Sequence, residues 1–327
     1  MAMAAASVSS TFIWRRLHSL MGLWLILYLF EHFLVNSQAA LWIGDDGSGF
    51  VQLVNSLESL PYLQVIETVF IGIPFLIHGA WGVKRALTSK RNSSSSNGSS
   101  PSLKYGRNKA FTWQRITSWI LLVGVVAHVV QMRFLYYPMK AANGQYYVPV
   151  TFDEGLYGLG ARLNVQIYSP EDLANLKEEI DGIPKRSLPV FSWVEGARSA
   201  QYSSEKGSEL NEIRIVEEVR KSVEEIGRFT LQKDQVLIQA SSPGKAMLLM
   251  VRDTFKSPLM MILYTIFVLA AAFHAFNGFW TSLITWGMIL SYRSQKALIP
   301  LGLIGMGVLS FLGLAAIWGS YWINLRQ

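Results

Sequence analysis

The sequence predicts an all-α integral membrane protein of five transmembrane helices, with a small α+β domain inserted between the third and fourth. Three observations carry that fold class. Of the 327 residues 51% are hydrophobic and only 16% charged, against about 25% charged in ordinary soluble domains. Five stretches approach or exceed the roughly 20 apolar residues that a membrane helix needs: Leu17–Val35, Tyr62–Val83, Trp113–Leu135, Pro258–Trp280 and Ile299–Ile323. Between the third and fourth lies a polar connection, Pro138 to Asp253, too long to be a structureless loop.

The first stretch follows Arg15-Arg16, as a signal peptide or twin-arginine signal would. It is longer than a signal core, contains Glu31 and His32, and has no A-x-A cleavage site, so it reads as a retained helix. Residues 1–137 therefore hold the first three helices, with a cytoplasmic loop at 88–103 whose Ser/Gly/Asn-rich residues 90–103, "KRNSSSSNGSSPSL", have nothing to bury. Residues 254–327 hold the last two. Lysine and arginine collect, without acidic residues, before the first helix and in the second-to-third and fourth-to-fifth connections. By the positive-inside rule these parts are cytoplasmic, and the C-terminus and the 138–253 domain are extracytoplasmic.

Within 138–253, Ser169-Pro170-Glu171-Asp172 carries the cap, first-turn proline and acidic first turn of a helix that Gly182 would end. Ser208–Gly227 has an apolar stripe at helical spacing, and "RFTLQKDQVLIQASS" reads as two short strands around a turn. This domain has 14 basic and 17 acidic residues, while the rest of the chain has 15 basic and 5 acidic. The basic excess thus belongs to the cytoplasmic edge of the membrane helices and is no footprint for nucleic acid. The domain has no motif for chemistry and reads as a structural or partner-contacting cover.

Cysteine is absent, which excludes disulfides, thiolate metal sites and iron–sulfur clusters on this chain. The five histidines are then the available metal-binding side chains of note: His18, His32, His78, His128 and His274. The last four lie one in each of the first four apolar stretches, where an ionisable group is costly and usually functional. At 1.5 Å of rise per residue, His32 and His128 lie roughly 24 and 20 Å from the cytoplasmic edge, in the outer half of the membrane. His78 lies roughly 9 Å from that edge, and His274 roughly 26 Å from the outer one, so these two share the inner half.

Two imidazole pairs at two depths on four helices suit bis-imidazole ligation of two stacked b-type haems inside a four-helix core. Gly79, Gly82, Gly124 and Gly278, each next to a ligand or within about one turn of one, offer room for a porphyrin, although glycine is also an ordinary helix-packing residue in membranes. A proton relay for transport and plain interhelical packing are the other readings of the same pattern. His18 sits at the cytoplasmic edge, either beside a haem propionate or solvated.

At these residues the chain resembles a known family. "RRLHSLMGL" (15–23), "EH" (31–32), "FLIHGAWGV" (75–83), "WQRITSW" (113–119) with His128 following, "SPLM" (257–260), "FHAFNGFWTSLITWG" (273–287) and "RSQK" (293–296) are similar to the five-helix, di-haem cytochrome b558 subunit of bacterial succinate dehydrogenase and fumarate reductase. The resemblance implies an anchor in the bacterial cytoplasmic membrane for an iron–sulfur subunit and a covalently FAD-bound flavoprotein, both on the cytoplasmic side. Electrons from succinate would pass through two b haems to a quinone, menaquinone in the related type, and the dicarboxylate site would lie on a partner, leaving no catalytic residue on this chain. It implies that His78 and His274 ligate the inner haem iron and His32 and His128 the outer, the pairing that depth gives independently. The long 138–253 insertion departs from the family pattern.

Around the haems, Arg16, Ser19, Arg115 and Ser118 cluster at the inner edge, placed for inner propionates or a quinone oxygen, or simply for topology. Arg133, five residues past His128, is placed for outer propionates. Glu67, 11 residues before His78, reaches the depth of the outer pair and is placed either to accept quinol protons or to bond a neighbouring helix. Glu31 is the weaker carboxylate candidate. The competing functional classes are the cytochrome b subunit of another quinone-linked dehydrogenase, such as a formate or hydrogen enzyme, and a proton-coupled transporter.

Overall fold

A computed structural model describes residues 9–89, 106–181 and 220–327. The chain divides into two compact units, 1–135 with 254–326, and 136–253.

The first unit contains five helices long and apolar enough to cross a membrane: Ser10–Leu41, Leu63–Thr88, Asn108–Leu135, Pro258–Thr285 and Tyr292–Asn324, called spans one to five below. They are longer than the apolar stretches that announce them, because polar residues at each end continue the helical hydrogen bonding. Little of their surface is buried, and large apolar side chains such as Leu27, Leu76 and Val123 are two-thirds exposed. That is the pattern of helices whose outer face meets lipid. Spans two, three and five each contain a π-helical segment, Thr68–Gly72, Val130–Leu135 and Ala315–Asn324.

Packing arranges the first four spans as a square. Span one packs against spans two and four, and span three packs against span four. Spans two and three touch only lightly, which leaves one–three and two–four as the diagonals. Span five lies outside the square against spans one and four, held by Trp318 Nε1 donating to Thr265 Oγ1 at 3.0 Å and Asn324 Nδ2 donating to the Ala39 carbonyl at 3.0 Å. The connection between spans one and two contains an amphipathic helix, Ser48–Glu58, which buries Phe50 and Val54 and is too short to stand out as an apolar stretch.

The second unit is built on a four-stranded antiparallel sheet in the order β1-β2-β4-β3: β1 Met139–Lys140, β2 Tyr146–Thr151, β3 Gln166–Tyr168 and β4 Gln235–Ala240. Register places Val148 opposite Ile238 and Val150 opposite Val236 on one face, which also carries Ile167. The helix Glu154–Leu163 closes on that face, with Gly160 so near Ile167 that an added Cβ would stand 3.0 Å from it. Tyr147 and Leu237 point to the opposite face and join Leu173, Ala141 and Ile226 in a second cluster. Arg252 is 1% exposed and is neutralised by a bidentate pairing with Asp153 at 2.7 and 2.8 Å, as a buried guanidinium requires. Burial pushes the Tyr147 phenol up, and that of Tyr168 up to about 12, where the Tyr147 and Asp172 charges add to the burial.

The helix announced by Ser169-Pro170 forms as Pro170–Asp181, with Ser169 Oγ accepting from the Asp172 amide at 3.1 Å. One reading of this unit needs correction. Only one strand forms in "RFTLQKDQVLIQASS", namely β4, because its pairing partners are β2 and β3 upstream and not the residues before its own turn. Of the helix expected at Ser208–Gly227, residues 220–226 are helical and 208–219 lie outside the described residues, as does most of the 88–103 loop.

Candidate functional site

All five histidines belong to the membrane unit and gather in two groups. In the inner group His78 on span two faces His274 on span four, ring centroids 6.2 Å apart with planes at 78°. In the outer group His32 on span one faces His128 on span three, centroids 5.8 Å apart with planes at 81°. Each pair therefore bridges a diagonal of the square, which puts the midpoint of each pair inside the bundle.

The antiparallel register of spans three and four fixes the two levels. Thr117 lies beside His274, and Tyr264 beside His128, so 11 residues forward on one span correspond to 10 residues back on the other. At 1.5 Å of rise the levels are about 16 Å apart along the bundle.

In the inner group, His78 Nδ1 lies 3.0 Å from the His18 carbonyl oxygen and His18 Nδ1 lies 3.1 Å from that of His78. The two rings stack at 4.0 Å, and an added Cβ on Gly22 would stand 2.8 Å from His78 Cε1. His18 is thus a packed member of the inner group and not a solvated edge residue. On the far side His274 Nδ1 lies 3.4 Å from Thr117 Oγ1, whose own proton goes to the Trp113 carbonyl at 2.8 Å. Gln114 fastens the same turn, donating to the His274 carbonyl at 3.3 Å and accepting from Asn277 Nδ2 at 2.8 Å.

In the outer group, His128 Nδ1 lies 3.2 Å from the Tyr264 hydroxyl, which donates to Gln131 Oε1 at 3.0 Å. Tyr28 packs on His32 and Phe267 on His128. The Phe267 ring fills the space over Gly124, where a Cβ would stand 2.5 Å from it. Gly124 therefore serves helix packing, whereas Gly79 has nothing within 4 Å of an added Cβ.

Two of the three arginines placed for propionates, Arg115 and Arg133, stand at the two ends of the loosely packed two–three side. Arg115 Nη2 donates to the Ala86 carbonyl at 2.6 Å and Nη1 to that of Ser89 at 3.5 Å, closing the C-terminus of span two. Arg133 Nη2 pairs with Glu67 Oε2 at 2.8 Å. Ser118 Oγ donates to the Arg115 carbonyl. On the one–four side, Ser19 Oγ accepts from Trp286 Nε1 at 3.2 Å and the Arg16 guanidinium lies over Phe12 at 3.6 Å. Glu31 is exposed beside His32.

The donor set decides what these pairs suit. Among the described residues no group of three or more His, Cys, Asp or Glu could hold a bare metal ion. Each pair offers two neutral imidazoles and nothing else, which matches a metal that brings its own equatorial ligands, as haem iron does. A metal–imidazole nitrogen bond of about 2 Å on each side puts the ring centroids of a linear bis-imidazole site about 6 Å apart, close to both pairs. A further fit is the buried Gln131 Nε2, three residues past His128, which has no hydrogen-bond partner and which an acceptor brought by a bound group would satisfy. Sequence reasoning passed over Gly22, Gln114, Thr117, Gln131, Tyr264 and Asn277. They act through register between spans, and nothing in one span's sequence signals it.

The chain is 24% identical, over 308 residues that cover 94% of it and 96% of the relative, to the succinate dehydrogenase cytochrome b558 subunit of Bacillus subtilis (strain 168). That relative bears the name of the family that the sequence motifs resemble. No protein-family model matches the chain, and no solved structure matches it significantly. With five apolar helices and this relative, the chain is a multi-pass membrane protein.

Proposed function

We propose that this chain is the membrane-embedded cytochrome b subunit of a succinate:quinone oxidoreductase, with an inner b haem on His78 and His274 and an outer one on His32 and His128. The observation that carries the reading is the presence of two facing imidazole pairs, at 6.2 and 5.8 Å, on the two diagonals of one four-helix bundle. The name of the relative supplies the enzyme.

When bound, haem iron supplies one-electron redox chemistry. The residues of this chain hold, orient and insulate it. The His18 carbonyl, Thr117 and Tyr264 each take a ring Nδ1–H, which leaves Nε2 of His78, His274 and His128 for the metal. Arg115 and Arg133, at the two ends of the two–three side, stand ready for propionate carboxylates, with Arg16, His18, Ser19 and Ser118 at the inner edge. Glu67, paired with Arg133, offers a carboxyl group that can relay the protons a quinone takes up as it is reduced at the outer level.

Succinate is oxidised on a flavoprotein partner carrying FAD, and an iron–sulfur subunit passes its electrons to the cytoplasmic side of this anchor. The electrons leave to a membrane quinone, menaquinone by the family resemblance. The chain lies in a bacterial cytoplasmic membrane with its N-terminus inside and its C-terminus and the 138–253 domain outside. A dithionite-reduced minus oxidised spectrum of the purified protein, with haem quantified per chain, tests this reading. About two b haems per chain and co-purification of a flavoprotein with an iron–sulfur protein are expected. A folded, colourless preparation from haem-sufficient cells, or co-purification of a molybdenum or nickel enzyme instead, would overturn it.

A further inference from the structure

The rings of the two pairs differ in what holds them, and one support is a side chain that can be altered without disturbing the backbone. His78 is held by a carbonyl group, and His274 is near a threonine at the long distance of 3.4 Å. His128 alone faces a phenol, at 3.2 Å. The Tyr264 hydroxyl has one proton, and that proton goes to Gln131 Oε1 at 3.0 Å. Its oxygen is therefore left to accept, and the His128 nitrogen facing it must carry the hydrogen.

A free lone pair at Nε2 for the metal requires this direction of the chain. With Nδ1 protonated, the other nitrogen of a neutral imidazole, Nε2, has the free lone pair that a metal requires. Reversing the chain would have Gln131 donate to Tyr264 and Tyr264 donate to Nδ1, moving the histidine hydrogen to Nε2 and removing the ligand. Gln131 sits three residues past His128 on the same face of span three, so both ends are carried by one rigid segment and the phenol is delivered from span four. Aromatic contacts with Phe255 at 5.3 Å and Phe267 at 6.1 Å hold the Tyr264 ring edge-on between them.

We infer that Tyr264 is the positioning residue of the outer haem: through its hydroxyl it fixes His128 in the metal-binding tautomer and, by accepting the Nδ1 hydrogen, lowers the reduction potential of that haem. The inference rests on the di-haem reading above. An acceptor at Nδ1 makes the imidazole a stronger donor at Nε2. Stronger donation favours the ferric state, in which the iron carries the additional positive charge, and so draws the potential down. The acceptance is strengthened because the same hydroxyl donates onward to Gln131, each bond polarising the next. At the inner level Thr117 stands between His274 and the Trp113 carbonyl in a similar way, at the longer distance of 3.4 Å, while Tyr264 lies beside the outer His128, so an altered Tyr264 acts on the outer level.

The test is a redox titration of the intact purified complex, followed in the visible spectrum, for the unaltered protein, Tyr264→Phe and Gln131→Met. The phenylalanine keeps the ring and its contacts with Phe255 and Phe267. The inference expects the outer component to move to higher potential in Tyr264→Phe, to move less in the same direction in Gln131→Met, and the inner component to stay in place in both. An unmoved outer potential in Tyr264→Phe, or an equal movement of both components, would overturn it. Should Tyr264→Phe fail to retain the outer haem, Gln131→Met decides: an upward shift upholds the inference and an unchanged potential assigns Tyr264 to packing alone. Absence of haem from the unaltered protein would instead overturn the di-haem reading.

Discussion

His18 and His78 cross-link spans one and two by mutual hydrogen bonds from ring to backbone, 3.1 and 3.0 Å, with their rings stacked at 4.0 Å. The bond that orients His78 is accepted by the carbonyl group of His18, and a side-chain substitution leaves that carbonyl in place. His18→Ala should therefore keep both haems while losing one interhelical hydrogen bond and the ring contact, a cost of about 1 kcal/mol. Haem content per chain and thermal stability of the variant check this. A fall to about one haem would make His18 itself a ligand.

Diagonal pairing makes the four ligand substitutions fall into two sets. His78→Ala and His274→Ala should abolish the same spectral component, and His32→Ala and His128→Ala the other. Low-temperature difference spectra of the four variants read this directly. The proposed assignment would fail if one change from each pair removed the same component.

Gly22 makes room for His78. A methyl group there would stand 2.8 Å from Cε1 and 3.0 Å from Nδ1, and the ring has little freedom to retreat because its Nδ1 is bonded to the His18 carbonyl and its face is stacked on the His18 ring. Gly22→Ala should weaken or delete the inner component while leaving the outer one. Gly313→Ala is the matching control. Its methyl would meet Val268 at 2.5 Å and Phe33 at 3.0 Å between spans one, four and five, with no histidine atom among its nearest neighbours. It should cost stability without a preference for one haem, as measured by component spectra after mild heating.

The levels of the histidines were legible because depth in a membrane helix is a count of residues, and the count needs no partner. His78 with His274, and His32 with His128, follow from that count and are what the structure brings face to face. The supports of those rings were not legible. Tyr264 reaches His128 and Thr117 reaches His274 only because spans three and four run antiparallel in one particular register, which is set by packing such as Phe267 over Gly124. The ion pair of Glu67 with Arg133 is hidden in the sequence for the same reason: depth places each residue singly, and both lie on the side where their spans otherwise scarcely touch. In the inserted unit the helix at Pro170 carried its own local signals, whereas β4 finds its partners far upstream, so the two-strand reading of the segment around it erred.

The relative twist of the imidazole planes leads to a spectroscopic expectation. In both pairs the planes are nearly perpendicular, 78° in the inner and 81° in the outer. The inner twist is held by the His18 carbonyl on His78 and Thr117 on His274, and the outer by Tyr264 on His128. Parallel imidazole planes would raise one of the two iron orbitals that can overlap with the ligand π systems and leave the other; perpendicular planes raise both alike and keep them nearly degenerate. Near degeneracy leaves orbital angular momentum unquenched in low-spin ferric iron, so both haems should give strongly anisotropic electron paramagnetic resonance signals with an unusually large low-field g value. Spectra of the oxidised protein at liquid-helium temperature check this, and Tyr264→Phe offers a direct comparison, since the released His128 ring should turn and narrow the anisotropy of the outer signal alone. Two rhombic signals of ordinary spread in the unaltered protein would mean that the planes are nearly parallel once iron is bound, and that the Nδ1 contacts do not govern ring orientation.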